Sequence, residues 1–146
     1  MATANIHPDD NTANDWTVYP SGEPEAAIDE GTVLGGHTPN DADYIYSNTA
    51  GHDITLTWGD SPADTNLVTQ IVLNVRAKID DGNGTGRLQV KLFHSTSTQI
   101  GSTKYITGTN LGGYGTLGEY ALTWSSLTLT KTQVDSLTVE IVLLAS

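Results

Sequence analysis

The sequence of 146 residues contains no cysteine. Disulfides and metal sites built on thiolates are therefore excluded. Lys and Arg are scarce, at 6 against 17 Asp and Glu, and the formal net charge is −11. This balance argues against binding to a nucleic-acid backbone, which requires a basic face. No apolar run reaches membrane-spanning length, and no N-terminal segment joins basic residues to an apolar stretch, so we expect neither a membrane anchor nor a signal peptide.

Thr, Ser, Gly and Asn are abundant, whereas Met and Phe occur once each. This composition is typical of short strands joined by many turns. Apolar and polar residues alternate along several short runs, such as residues 54–58 and 120–124. With about eight such runs, we predict an all-β fold: a single antiparallel β-sandwich, jelly-roll-like, preceded by an extended N-terminal arm. The arm covers residues 1–15 and the sandwich domain covers residues 16–146.

Residues 67–79 form the longest alternating run, and the glycine-rich segment DDGNGTG separates it from a second run at residues 88–92. Two alternating runs on either side of such a turn are typical of a β-hairpin, so we predict that they pair. Residues 130–137 favour a single helical turn, with Thr130 or Thr132 as its N-cap.

The first 15 residues are polar and contain one large apolar residue, Ile6. Such a segment has too little apolar surface to hold itself in place. If it is ordered, either its own domain or a neighbouring subunit must hold it. We predict that Ile6, His7, Pro8, Asp9 and Asp10 contact a partner.

Two acidic segments are candidates for metal binding. Asp80, Asp81 and Asn83 offer oxygen ligands near glycines, and Asp29, Glu30, Asp41 and Asp43 form a second group. Calcium prefers such oxygen ligands, although the spacing departs from the helix–loop–helix calcium pattern. The alternative, which we favour, is that Asp, Asn and Gly occur in the first segment because turns require them, and that the acids of the second group are solvated loop charges. We expect no other cofactor.

The sequence does not indicate catalysis. It contains no nucleophile elbow, phosphate-binding loop or dinucleotide fingerprint. A glycosidase would require two facing carboxylates, for which Glu119 with Asp29 or Glu30 is the available combination. Acidic residues are common in loops, so we predict that the protein is not an enzyme.

Aromatic residues supply the remaining candidate for binding. Trp58 and Trp124 share the apolar parity of their strands, which indicates core positions. Tyr114 lies inside LGGYGTLG, where the neighbouring glycines would leave it exposed, and tyrosine is well suited to recognition. The alternative is an ordinary loop tyrosine.

Several segments together resemble a recurrent class of tailed-phage and prophage proteins. The segments are DWTVYPSGEPEAAIDEG, NDADYIYS, TQIVLNVRAKIDDGNGTGRLQVKLF, EYALTW and DSLTVEIVL. In that class a Trp-containing opening leads to an AIDE-like stretch, an acidic D-D-x-Y-I segment and a V-x-V-R-A-R strand. A glycine-rich turn and a late Y…W strand follow. Lys78 stands where the class more often has Arg, and residues 108–118 have no counterpart.

The resemblance implies a virion structural protein with a jelly-roll-like sandwich, used in head decoration, head fibres or tail modules. We expect a capsid decoration (cement) protein on the outside of a viral head, made in the host cytoplasm. Its partners would be the major capsid protein and copies of itself, with the N-terminal arm clamping neighbouring capsid subunits. The alternative is a carbohydrate- or receptor-binding module of a phage fibre or tail, which would use Tyr114 and the acidic loops to contact cell-surface glycans.

Overall fold

The computed structural model describes residues 6–24, 27, 42–80, 83–95 and 97–144, and these are mostly β-strand. A 3₁₀ helix spans Gly108–Leu111, and one α-helix, α1, spans Lys131–Val134. Nine strands lie in the described ranges: β1 Pro8–Asn14, β2 Thr17–Tyr19, β3 Tyr44–Tyr46, β4 Asp53–Trp58, β5 Leu67–Lys78, β6 Arg87–His94, β7 Thr98–Thr107, β8 Leu117–Thr130 and β9 Leu137–Leu144.

The strands form one large sheet and two ribbons, all antiparallel. The large sheet has the order β1-β4-β9-β6-β7, while β5 pairs with β8 and β2 pairs with β3. The pairs β4–β9, β5–β8 and β6–β7 are nested in the sequence, and β6 also pairs with β9. Nested antiparallel pairs of this kind, joined by the pairing of β6 with β9, are typical of a jelly roll. The predicted all-β antiparallel sandwich is therefore confirmed.

The core lies between the large sheet and the β5–β8 ribbon, because one buried cluster draws side chains from both. Val90 and Leu92 come from the sheet, and Leu122 and Trp124 come from the ribbon. Their strands alternate in burial, as expected when one face of each strand meets the other layer. Burying each large aliphatic side chain contributes about 1.5–3 kcal/mol, which makes this cluster the main source of stability.

The N-terminal segment is held by its own domain from Pro8 onwards. β1 pairs with β4, so that Pro8 lies opposite Trp58 and Asn14 lies opposite Ile54. The Thr57 hydroxyl also donates a hydrogen bond to Asp9 at 2.8 Å. Of the two alternatives that the sequence left open, the structure shows the first: residues 8–14 form the edge strand of the large sheet.

The predicted hairpin between residues 67–79 and 88–92 is wrong. β5 pairs with β8, whereas β6 pairs with β7 and β9, so the two runs lie in different layers. Both runs have one apolar face, carrying Leu73 in β5 and Val90 in β6, and both faces point into the same cluster. Opposing the two faces across the core buries both of them, whereas pairing the strands side by side would leave that core unfilled.

The predicted helical turn at residues 130–137 is present as α1. Thr130 is its N-cap, and a capping box joins the side chains of Thr130 and Gln133 to each other's backbone N–H groups. Lys131 on this helix donates a hydrogen bond to the backbone carbonyl of Ser61 at 2.6 Å. α1 thereby fixes the loop that leaves β4.

Candidate functional site

The predicted arm residues lie along the rim of the large sheet. Ile6, His7 and Pro8 are half-buried, and Asp9 and Asp10 are exposed. The backbone carbonyl of His7 accepts a hydrogen bond from the N–H of Gly59 at 3.2 Å. The exposed acids therefore lie on a strand that its neighbours hold in place.

The candidate metal ligands are not brought together within the described residues. Asp80 is exposed and pairs with Lys78 at 2.9 Å, and Asn83 is exposed. Asp43 is half-buried, while Asp41 and Asp81 lie outside the described residues. Over the described ranges, no group of three or more His, Asp or Glu side chains is arranged to hold a metal ion.

Tyr114 is half-buried and packs against the edge of the core, which differs from the exposed position expected from its glycine neighbours. Its ring lies directly over Gly108, where an added β-carbon would stand only 2.5 Å from Tyr114 Cγ. A β-carbon added at Gly84 would lie 3.8 Å from Cε2 of the same ring. Gly108 therefore allows the ring of Tyr114 to pack closely against the backbone, and the ring is not exposed as predicted.

Glu119 forms an ion pair with Arg76 on the neighbouring strand. Arg76 Nη1 lies 3.3 Å from Glu119 Oε1, and the two residues face each other in the β5–β8 register. Asp29 and Glu30, which the sequence offered as facing carboxylates, lie outside the described residues. In the described structure Glu119 therefore forms a cross-strand ion pair.

The most conspicuous exposed feature is a group of three tyrosines on the β2–β3 ribbon, which we call the tyrosine surface: Tyr19, Tyr44 and Tyr46. Tyr19 lies opposite Tyr44, and Tyr46 lies two residues further along β3. Side chains two apart on a strand share a face, so all three rings point the same way. Val18 and Ile45 occupy the opposite face and are half-buried.

The rings of the tyrosine surface contact each other while remaining open to solvent. The ring centroids of Tyr19 and Tyr44 are 4.9 Å apart with 22° between their planes, which is a stacked pair. Tyr46 stands 6.1 Å from Tyr44 at 56°. Tyr19, Tyr44 and Tyr46 are 50%, 46% and 48% exposed. Three large side chains exposed together on one face are typical of a binding surface.

The ribbon is anchored at the start of β2. The half-buried Trp16 packs against the core cluster immediately before Thr17. The backbone N–H of Asp15 donates a hydrogen bond to the carbonyl of Asp53 on β4 at 2.9 Å. These contacts attach the tyrosine surface to the sandwich.

Acidic side chains lie close together at the base of the ribbon. Burial of Asp53 raises the pKa of its carboxyl group, and the nearby charges of Asp15 and Glu140 raise it further. Twelve of the 17 Asp and Glu residues and none of the six Lys and Arg residues occur in the first 75 positions. The half of the chain that contains the tyrosine surface therefore carries the whole of the net negative charge.

All six cationic side chains have a partner in their own chain. Four form ion pairs and two lie over aromatic rings: Arg76 with Glu119, Lys78 with Asp80, Lys91 with Glu140, Lys131 with Asp135, Arg87 over Tyr105 and Lys104 over Trp124. The six cationic residues lie on β5, β6 and β7 and at the start of α1. Each positive charge therefore contacts an acid or an aromatic ring of the same chain.

Sequence reasoning missed the tyrosine surface. The alternation Tyr44-Ile45-Tyr46 indicated that two tyrosines share a face. The pairing of Tyr19 with Tyr44 depends on a contact between distant parts of the chain, and no local pattern marks it.

None of the helices in the described part of the chain has the length and apolar character needed to cross a membrane. Comparison of the chain with protein-family models, with curated proteins and with solved structures finds no match.

Proposed function

We propose that the protein is a non-catalytic virion structural protein that decorates the outside of a viral head. The virion role is proposed because the sequence resembles tailed-phage proteins. The jelly-roll-like sandwich is compatible with that resemblance. The observation that carries a binding role is the tyrosine surface, three half-exposed rings on an anchored ribbon. Tyrosine is enriched where proteins bind each other, because it offers a large contact area and few rotatable bonds.

Fewer N-terminal residues are available to contact a capsid than in the predicted arm of 15 residues. Residues 8–14 are committed to the large sheet as β1. The capsid contact proposed for the segment is therefore assigned to Ile6 and His7 and to the exposed carboxylates of Asp9 and Asp10. Many copies, each binding weakly, would stabilise a capsid through multivalency.

The test is the copy number of this chain in purified particles, measured by quantitative mass spectrometry against the major capsid protein. A decoration protein is expected at a fixed ratio to the capsid protein, because it occupies a repeated site on the head lattice. A copy number far below that of the capsid protein would assign it to a fibre or tail, and its absence from particles would overturn the virion assignment.

A second candidate function is carbohydrate or receptor binding on a fibre or tail. The tyrosine surface favours it, since exposed aromatic rings also stack on sugar rings. It would use Tyr19, Tyr44 and Tyr46 in place of Tyr114, whose ring is packed against Gly108. Binding of a neutral polysaccharide that Tyr44→Ala abolishes would distinguish this function from decoration.

A further inference from the structure

We infer that the tyrosine surface binds cationic side chains, Lys or Arg, of a basic segment on a partner protein. The inference rests on the proposed function only in identifying that partner as a capsid protein. The binding chemistry follows from the geometry and charge of this chain.

The geometry provides exposed π faces. Stacking at 4.9 Å joins Tyr19 and Tyr44 into one unit, and Tyr46 stands at 56° beside it. Because one face of Tyr19 and one face of Tyr44 are turned towards each other in the stack, a cation would contact the outer ring faces of the three side chains, which are about half exposed. Attraction between a cation and a ring quadrupole requires such a face within about 6 Å of the cation.

The acidic residues near the ribbon favour a cationic ligand over an anionic one. Asp43 directly precedes Tyr44, and Asp15 lies two residues before Thr17 at the start of β2. Burial is the first cause of the raised pKa of Asp53, and the charges of Asp15 and Glu140 add to it, so acidic groups lie close together at the base of the ribbon. Such a field increases the association rate of positively charged partners and repels polyanions.

A second copy of the chain fits this requirement poorly. Each of its six Lys and Arg side chains is already held by an acid or an aromatic ring of the same copy. Its N-terminal half would also bring the same excess of negative charge to the contact. The basic segment therefore belongs to a different protein.

The experiment measures binding of a dye-labelled octa-arginine peptide by fluorescence anisotropy at fixed ionic strength. Replacing Tyr19, Tyr44 and Tyr46 together by Ala is expected to weaken binding about tenfold, at the lower end of what three exposed cation–π contacts provide. Replacing the same residues by Phe keeps the ring faces and is expected to leave the affinity within about twofold of the wild type.

Tyr105→Ala is the matched control, because Tyr105 is 42% exposed but lies on β7 beside Arg87. It should leave peptide affinity unchanged, and thermal unfolding of each variant checks that the fold is retained. If the triple Ala variant bound the peptide as tightly as the wild type does, the attraction would come from net charge alone and the inference would be overturned.

Two further outcomes separate the inference from the proposed function. Binding of a neutral oligosaccharide such as maltoheptaose through the same tyrosines, without binding of octa-arginine, would overturn the inference and favour the glycan-binding function. Tyrosine-dependent peptide binding by a protein that is absent from virions would support the inference and overturn the proposed function.

Discussion

At the scale of single residues, the contact between β8 and the 3₁₀ helix leaves no room for a β-carbon. A β-carbon at Gly118 would overlap the backbone carbonyl of Leu111. Unlike the end of a flexible side chain, a backbone carbonyl cannot move aside without disturbing the 3₁₀ helix. The packing therefore requires glycine at this position for steric reasons.

Gly118→Ala is expected to lower the free energy of unfolding by about 1–3 kcal/mol or more, the range for overpacking a tight site. Chemical denaturation followed by tryptophan fluorescence measures the effect. Gly59→Ala is the matched control, because the first atom that its β-carbon would meet is the His7 carbonyl oxygen at 3.9 Å. Equal stabilities of the two variants would contradict the steric explanation.

A second residue-scale feature is the carboxylate of Asp135. It accepts hydrogen bonds from the Ser61 hydroxyl at 2.6 Å and from the Ser61 backbone N–H at 2.9 Å, and it pairs with Lys131 at 2.9 Å. The Ser61 hydroxyl, then Lys131, then the Ser61 N–H lower the pKa of Asp135 to about 2 from 3.8. This group joins the loop after β4 to the start of β9.

Because its folded-state pKa lies below its unfolded-state pKa, Asp135 stabilises the fold above pH 4. This contribution is lost as the pH falls from about 4 to about 2. Asp135→Asn is therefore expected to lower the melting temperature at pH 7, with a difference that shrinks towards zero near pH 2. Thermal unfolding of both proteins across this range tests it.

Asp64→Asn is the control for the Asp135 experiment, because Asp64 is an exposed acid in the same loop as Ser61. It should change the melting temperature little at any pH in the range. A constant difference between wild type and Asp135→Asn from pH 2 to pH 7 would mean that the carboxylate charge is not what stabilises this junction.

At the scale of elements, β1 forms one edge of the large sheet and covers β4, which would otherwise be the edge strand. It pairs with β4 along most of its length, although the register shifts between Pro8 and Asp10 and again between Asn11 and Ala13. Irregular pairing and exposed acids on an edge strand discourage the addition of further strands. β1 thus covers β4, which is regular and carries the buried Ile54 and Leu56.

A chain that begins at Asp15 is expected to melt at a lower temperature and to self-associate as its concentration rises, because β4 becomes an open edge. Calorimetry and light scattering measure these two effects. Deleting residues 2–5 alone is the control and should preserve both properties, since β1 begins at Pro8. A monomer with unchanged stability after loss of β1 would show that the strand is not part of the cooperative fold.

The connection between β5 and β6 shows where element-scale reasoning fails. The strands themselves were predictable, because alternation of apolar and polar residues is a local property. The choice between pairing side by side and facing each other across the core depends on which other strands compete for the same hydrogen bonds. β8 and β9 take those positions here, and they lie far away in the sequence.

At the scale of the whole molecule, the charge is divided between two halves of the chain. The first 75 residues contain no Lys or Arg, and every cation of the remainder is engaged in its own chain. The net negative charge is therefore carried by the first half of the sequence, which contains β1 to β4. The tyrosine surface lies in that half, which is why a partner contact at this surface would be sensitive to charge.

The sequence by itself determined the all-β class, the position of most strands, the capped turn at α1 and the burial of Trp124. Each depends on residue type and local spacing, such as the Thr130–Gln133 capping box. Tertiary structure alone decided that residues 8–14 complete a sheet, that β5 and β6 face each other, that Tyr114 packs on Gly108 and that Tyr19 joins Tyr44 and Tyr46. These features require contacts between distant residues, whose energies depend on the whole packed arrangement and leave no mark in a local pattern.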